Sequence, residues 1–165
     1  MIYITKSKKV DSSTTNEELM NDTKRHINDV SNALKFIESK LIERGNLHDH
    51  TKIEHIDDFN KALKSGHIKD SEWYKLHITE ERHHLKSHVP DDVNLIDIIE
   101  MICDISMAGL ARSGSIYDLD IDPSIFPLAI QNTIELLKAN TIVSDSVDEL
   151  NDNNSILDTP IDEED

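Results

Sequence analysis

The sequence predicts an all-α protein, a compact bundle of about five helices with a disordered acidic tail at its C-terminal end. The 165-residue chain has only 4 Gly and 4 Pro, and its apolar residues recur at helical spacing over long segments. After Lys138 it has nine Asp or Glu residues but no Lys or Arg. We therefore expect one helical domain over residues 17–140, a polar segment over 1–16, and over 141–165 a tail whose charge favours disorder.

The first two predicted helices meet near Gly45. The first begins near residue 16 and carries one apolar stripe. This stripe consists of Ile27, Val30, Leu34, Ile37 and Leu41. Gly45 is suited to end the helix, because glycine readily adopts the left-handed conformation found just after a helix C-terminus. The second helix is expected to start between Leu47 and His50 and to end before Ser65-Gly66.

Capping residues and prolines delimit the third and fifth predicted helices. Either residue of Asp70-Ser71 can cap the third helix, which should end near residues 84–86 because Pro90 disfavours helical geometry before it. Pro123 fits the first turn of the fifth helix, which covers 123–139.

The fourth predicted helix, residues 94–111, is the most hydrophobic segment of the chain. Apolar residues surround it almost completely, so we expect it to be the central buried helix. Asp104 lies within it. A buried carboxylate is costly unless it is hydrogen-bonded, paired with a cation or bound to a metal, and the sequence leaves these alternatives open.

Composition excludes several classes of function. No segment has 18 consecutive apolar residues, so none is expected to span a membrane, and the N-terminus lacks the apolar core of a secretory signal. A net charge of −16 argues against general binding to a nucleic-acid phosphate backbone. Cys103, the one cysteine, cannot form an intramolecular disulfide, as suits a reducing compartment. We expect a cytoplasmic protein; the sequence leaves its oligomeric state open.

The strongest functional signal is the segment Leu47-His48-Asp49-His50-Thr51-Lys52-Ile53. Neighbouring side chains on a helix diverge by about 100°, so His48 and Asp49 can share a cation only where the backbone turns both inward. Such a position is typical of the first turn of a helix. The doublet therefore predicts a metal site at the start of the second helix.

Further potential ligands lie on the flanking helices. The full set of predicted metal ligands is His26, His48, Asp49, His77, His83, His84 and Asp104. A lone histidine such as His26 is more often a hydrogen-bonded core or boundary residue than a ligand. His83 and His84 cannot both point the same way from a regular helix, so only one of them is expected to bind. We expect Glu80 and Glu81 on a solvated polar face.

These ligand types indicate the metal and its chemistry. Imidazole and carboxylate together suit Mn, Fe, Co, Ni or Zn, with a second Mg- or Mn-like position possible. The set exceeds what one ion needs, so it permits one or two ions, and a pair could activate a water for attack on phosphorus. Besides Asp49, we expect Lys52, Arg82 and Arg112 to serve catalysis by neutralising phosphate oxygens. Glu100 could orient a ligand histidine through its second ring nitrogen.

The order of these residues resembles the HD-domain superfamily of metal-dependent phosphohydrolases, with its early helical His, its His-Asp doublet and its later Asp. His26, His48-Asp49 and Asp104 stand in that order. The doublet segment is also similar to the "LHDIGKI" of the HD-GYP subgroup, although the Gly-Tyr-Pro element of that subgroup is missing. A closer likeness is to a small, functionally uncharacterised HD-like family of bacteria and phages. The pattern of that family is an early His, followed by "HD-x-[ST]-K", "W-x-x-x-H", "HH" and "iEMicDw". It covers about residues 22–112, with Ile105 where that family has an aromatic residue.

The resemblance implies a metal-dependent phosphohydrolase that acts on a nucleotide or related phosphate ester through a metal-activated water. Two alternatives remain open. One is a non-catalytic helical binding module that a metal stabilises. The other is a di-iron oxygenase of HD type, because Glu80-x-x-His83 and Glu81-x-x-His84 each mimic the Glu-x-x-His element of di-iron bundles. Such bundles need that element on two helices, and the sequence has no second copy.

Overall fold

The computed structural model of the protein describes residues 1–7 and 10–145, and these are mostly helical, as predicted. Its elements in chain order are β1 (Ile2–Thr5), α1 (Asn16–Leu47), α2 (His50–Glu54), α3 (Ile56–Ser65), a 3-10 helix (Ile68–Asp70), α4 (Glu72–Glu80), α5 (Leu95–Ser113), α6 (Ile125–Ala139) and β2 (Thr141–Ser144). Most of the predicted acidic tail, from residue 146 onward, lies outside the described residues. None of the helices in the described ranges combines the length and the hydropathy of a membrane-spanning segment.

The chain divides into two compact units, Met1–Ile37 with Leu137–Asp165, and Glu38–Leu136. In the first unit, β1 and β2 form a two-stranded parallel sheet in which Ile2 pairs with Thr141. Neither strand was predicted, and β2 occupies the first residues of the segment assigned to the tail. Four-residue strands carry too little periodicity to be recognised in a sequence, and these two pair across most of the chain length.

The second unit has its hydrophobic core along α5 and α6. The buried core residues are Leu85, Val93, Ile98, Met101, Ile125 and Ala129. The prediction that α5 is buried on nearly all sides is wrong, because Ile102, Met107 and Leu110 are exposed. The helix buries one face against this core and leaves its other apolar residues at the surface.

Helix termini follow the predicted caps in two cases and differ in others. Ser71 caps α4 by accepting a hydrogen bond from Tyr74 N at 3.1 Å, and Gly66 ends α3 in the left-handed conformation. Gly45 does not end α1, which continues to Leu47. The second predicted helix is broken at His55 into α2 and α3.

The third predicted helix also ends earlier than expected, because α4 stops at Glu80. The following segment, residues 81–94, is irregular and carries His83 and His84. Arg82 anchors it to α5, where its Nε and one terminal nitrogen each donate to a carboxylate oxygen of Asp97 at 2.8 Å. Asp97 is fully buried and completes a capping box with Asn94 at the start of α5.

Candidate metal centre

The His-Asp doublet lies in the turn between α1 and α2. Asp49 is the N-cap of α2 and has φ 58° and ψ 21°, and it is the one non-glycine residue with positive φ among the described residues. Aspartate tolerates this left-handed conformation better than most residues do. The turn brings the two neighbouring side chains together, with His48 Nε2 3.6 Å from Asp49 Oδ2. The predicted placement of the doublet at a helix start is confirmed.

Glu81 stabilises this turn by hydrogen bonds to its backbone. Its side chain is buried, and its carboxylate accepts hydrogen bonds from the backbone N–H groups of Asp49 (3.2 Å) and Thr51 (2.9 Å). These are orphan donors at the start of α2 that need a partner when buried. The prediction that Glu81 lies on a solvated face is wrong. Because α4 ends at Glu80, Glu81 leaves the helical path and turns inward.

Two groups of side chains could each hold a metal ion. One consists of His48, Asp49 and His83, and the other of Asp49, His77 and His84. Within each group the ligand atoms all lie within 4.8 Å of one another. Asp49 belongs to both groups, and its Oδ1 is 3.5 Å from His77 Nε2 and 3.8 Å from His83 Nε2.

The unsatisfied atoms of the site fit a bound cation. Asp49 Oδ1 and His83 Nε2 are buried, and neither has a hydrogen-bond partner among the described residues. Buried polar atoms are almost always paired, so two unpaired atoms that face each other indicate a missing partner. A divalent ion accepts both an imidazole nitrogen and a carboxylate oxygen, and it would satisfy the two atoms at once.

The other predicted ligands are placed differently from one another. Asp104 is half-buried, and its Oδ1 is 3.5 Å from His48 Nε2, at the edge of the first group. His26 is exposed on the part of α1 that belongs to the first unit, and neither group includes it.

His83 and His84 both enter the site, so the prediction that only one of them binds does not match this geometry. They lie in the irregular segment after α4, where adjacent side chains can converge.

Carboxylates orient His48 and His83 and set the pKa of His48. Glu100 Oε1 accepts from His48 Nδ1 at 3.1 Å and from His83 Nδ1 at 3.2 Å, so the predicted orienting role of Glu100 has a geometric basis. Hydrogen bonds to Asp104 and Glu100 raise the pKa of His48 to about 10. Burial alone raises the pKa of Glu100, but the hydrogen bonds from His48 and His83 outweigh it and lower that pKa to about 2.

The second pair of histidines is held in a less charged environment. His77 and His84 face each other with their Nε2 atoms 2.8 Å apart. Burial lowers the pKa of His77, and burial together with the neighbouring His83 and His77 lowers the pKa of His84 to about 4. A neutral imidazole has one protonated and one unprotonated nitrogen, so one of the two Nε2 atoms donates in this contact and the other offers a lone pair.

The three predicted catalytic cations have different surroundings. Lys52 is half-buried and forms an ion pair with Asp49 Oδ2, so its ammonium group lies at the site. Arg82 donates from all three of its nitrogens to oxygens of Asp92 and Asp97, which favours a structural role. Arg112 is exposed in the last turn of α5.

Sequence reasoning missed two residues that support the site, Thr51 and Asp97. Thr51 is fully buried, and its hydroxyl lies 2.7 Å from His77 Nδ1. Thr51 could have been recognised because it stands at the Ser-or-Thr position of the motif "HD-x-[ST]-K", directly before Lys52. The signal for Asp97 was its spacing of three residues from Asn94, which is typical of a capping box.

A model for a family of unknown function (DUF5662) matches residues 15–141. The chain belongs to that family. The DUF5662 match spans all of the potential ligands, from His26 to Asp104, together with Glu81 and Glu100. No curated protein and no solved structure matches the chain.

Proposed function

We propose that this DUF5662 protein binds two divalent metal ions joined by Asp49 and hydrolyses a nucleotide or related phosphate ester. The observation that carries the proposal is the sharing of Asp49 between two groups of ligands. In two-metal hydrolases, a pair of ions a few ångströms apart holds both the attacking and the leaving oxygen of the reaction. A carboxylate with one oxygen near two sets of imidazoles is suited to bridge such a pair.

The donor set limits which ions fit. Four imidazoles and one shared carboxylate favour Mn, Fe, Co, Ni or Zn over Ca or Mg, which prefer oxygen ligands. Asp104 would add a second carboxylate beside His48, and the HD-domain resemblance assigns it that role. His26, which the same resemblance assigns as a ligand, is left out of this proposal because it is exposed.

Bound divalent ions would supply Lewis acidity, which lowers the pKa of a coordinated water and offsets charge on phosphate oxygens. The protein residues orient the reacting groups. Glu100 fixes the rings of His48 and His83, and Glu81 fixes the turn that presents Asp49. Lys52 is paired with Asp49 Oδ2, so its ammonium group lies where it would offset charge on a phosphate oxygen bound at the site.

Di-iron oxygenase chemistry has less support from the geometry. The bundle-type Glu-x-x-His element requires both residues on one helix face. Here α4 ends at Glu80, before either histidine, and Glu81 is bonded to Thr51 and the backbone of Asp49. Neither potential element is therefore formed.

The proposal is tested by elemental analysis of the purified protein and by phosphate release from a panel of nucleotides and p-nitrophenyl phosphate. We expect two equivalents of transition metal on the wild-type chain and phosphate release that depends on them. Asp49→Ala should lose both ions, whereas the control His26→Ala should keep both. Lys52→Ala should keep the ions and lose most of the phosphate release.

Other outcomes assign the protein to a different class. Metal binding without hydrolysis of any phosphate ester would favour the non-catalytic, metal-stabilised module. Iron with an oxygen-sensitive absorption spectrum would favour an oxygenase. Wild-type protein that binds no metal even after reconstitution would contradict the proposal entirely.

A further inference from the structure

We infer that Thr51 is a positioning residue that sets the tautomer of His77 and thereby controls loading of the metal position formed by Asp49, His77 and His84. The inference rests on the proposed function, because it presumes that both groups bind metal. It adds that the two positions are supported by different residues and can be emptied separately.

Three buried side chains form a chain of hydrogen bonds. Thr51 at the start of α2 lies 2.7 Å from Glu81 Oε1 and, on its other side, 2.7 Å from His77 Nδ1. Their exposed fractions are 0% for Thr51, 2% for His77 and 4% for Glu81. At such burial each short contact must be a hydrogen bond with one donor and one acceptor.

The direction of these bonds follows from the donors available. Glu81 acts as an acceptor, because it also receives the backbone N–H groups of Asp49 and Thr51 and has His50 Nδ1 at 3.0 Å. The single hydroxyl proton of Thr51 must therefore go to Glu81. A hydroxyl has one proton and two lone pairs, so Thr51 Oγ1 can only accept from His77 Nδ1–H.

In a neutral ring this assignment leaves His77 Nε2 without a proton, so in the 2.8 Å contact it accepts from His84 Nε2–H. His77 Nε2 is also the atom 3.5 Å from Asp49 Oδ1. A metal binds the unprotonated nitrogen of a neutral imidazole, and a hydrogen bond at the other nitrogen commonly selects it. The Glu81–Thr51–His77 chain therefore presents a lone pair to the metal position.

The other metal position has its own support. His48 and His83 both donate from Nδ1 to Glu100, a residue of α5 rather than of the α2 and α4 region. The shared member of the two groups is Asp49. Loss of the Thr51 hydroxyl should therefore weaken one position and leave the other loaded.

The experiment compares the full-length wild-type chain with Thr51→Val and Thr51→Ser. Valine keeps the volume of threonine and removes the hydroxyl, whereas serine restores it. Each protein is stripped with a chelator, reloaded with Mn²⁺, dialysed and assayed for manganese per chain. We expect two ions on wild type and on Thr51→Ser. Thr51→Val should keep one ion and bind the other about 10- to 100-fold more weakly, the usual loss when a residue that orients a ligand histidine is changed.

Two results separate this inference from the proposed function. If wild type and Thr51→Val both bind two ions with equal affinity, the inference is wrong and the metal site stands. If wild type binds none, the proposed function fails and the inference fails with it.

A second measurement needs no variant and stands even if Thr51→Val does not fold. Nitrogen-15 chemical shifts of the zinc-loaded wild-type chain report which ring nitrogen of each histidine carries a proton. We expect His77 to be protonated at Nδ1 and unprotonated at Nε2. An unprotonated Nδ1 on His77 would overturn the inference.

Discussion

The two metal groups share Asp49 but hold their histidines in different ways. On one side, His48 and His83 donate to the carboxylate of Glu100, and the pKa of His48 rises to about 10. On the other side, His77 donates to a hydroxyl, and burial lowers the pKa of His84 to about 4. A neighbouring carboxylate favours the charged imidazolium, whereas burial favours the neutral ring. His48 and His83 are thus oriented by hydrogen bonds to a charged carboxylate, whereas His77 is oriented by a hydrogen bond to a neutral hydroxyl.

The largest expected effect concerns the irregular segment 81–94, which supplies His83 to one metal group and His84 to the other. Asp97→Asn should lower the free energy of unfolding by about 3–5 kcal/mol, because it breaks a buried ion pair with Arg82. Urea denaturation measures this change. The matched control is Asp92→Asn, since Asp92 also binds Arg82 but is 77% exposed, and it should cost less than about 1 kcal/mol. Equal losses in the two variants would show that the buried pair does not anchor the segment.

Removal of metal should give the next largest effect. Free metal at about 100 times its dissociation constant stabilises the folded state by about 2.7 kcal/mol per site. For a chain of this size, chelation should then lower Tm by roughly 5–11 °C for each ion removed. Differential scanning calorimetry with and without chelator measures the shift. Asp49→Ala should show none, and an equal shift in that variant would place the stabilising ion elsewhere.

Glu100→Gln sharpens the comparison from the carboxylate side. Glutamine keeps the shape of glutamate but removes the charge that both His48 and His83 donate to. We expect about 10- to 100-fold weaker binding of one ion, with the ion at His77 and His84 retained. Manganese titration measures both affinities. Thr51→Val should weaken the ion at His77 and His84, whereas Glu100→Gln should weaken the ion at His48 and His83. Equal weakening of both ions in Glu100→Gln would contradict the inference that different residues support the two positions.

Arg112→Ala should have the smallest effect. Arg112 is exposed, and α5 places it about 12 Å beyond Asp104 along the helix axis. We expect kcat/KM for phosphate release to change by less than about twofold, as is usual for a surface substitution. A much larger loss would restore the predicted role of Arg112 as a phosphate clamp.

Much of the fold and part of the site could be predicted from local features of the sequence. The apolar periodicity that predicts α1 and α5, and the cap Ser71, involve residues within one or two helical turns of each other. The His-Asp doublet indicated a metal site for the same reason, since two adjacent ligand types require a turn at a helix start. Predictions failed where a helix ended unexpectedly, as at Glu80, because helix ends depend on tertiary contacts more than on propensity.

By itself the sequence determined the helical class, the order of the potential ligands and the position of the doublet, because residue type and short-range spacing are properties of the chain. Only the tertiary structure decided that Asp49 belongs to two groups, that His83 and His84 both enter the site, and that His26 is exposed. It also decided that Glu81 turns inward to meet Thr51, a contact between residues 30 positions apart. The physical reason is that distances between remote residues depend on where each helix ends and packs, which no local pattern contains.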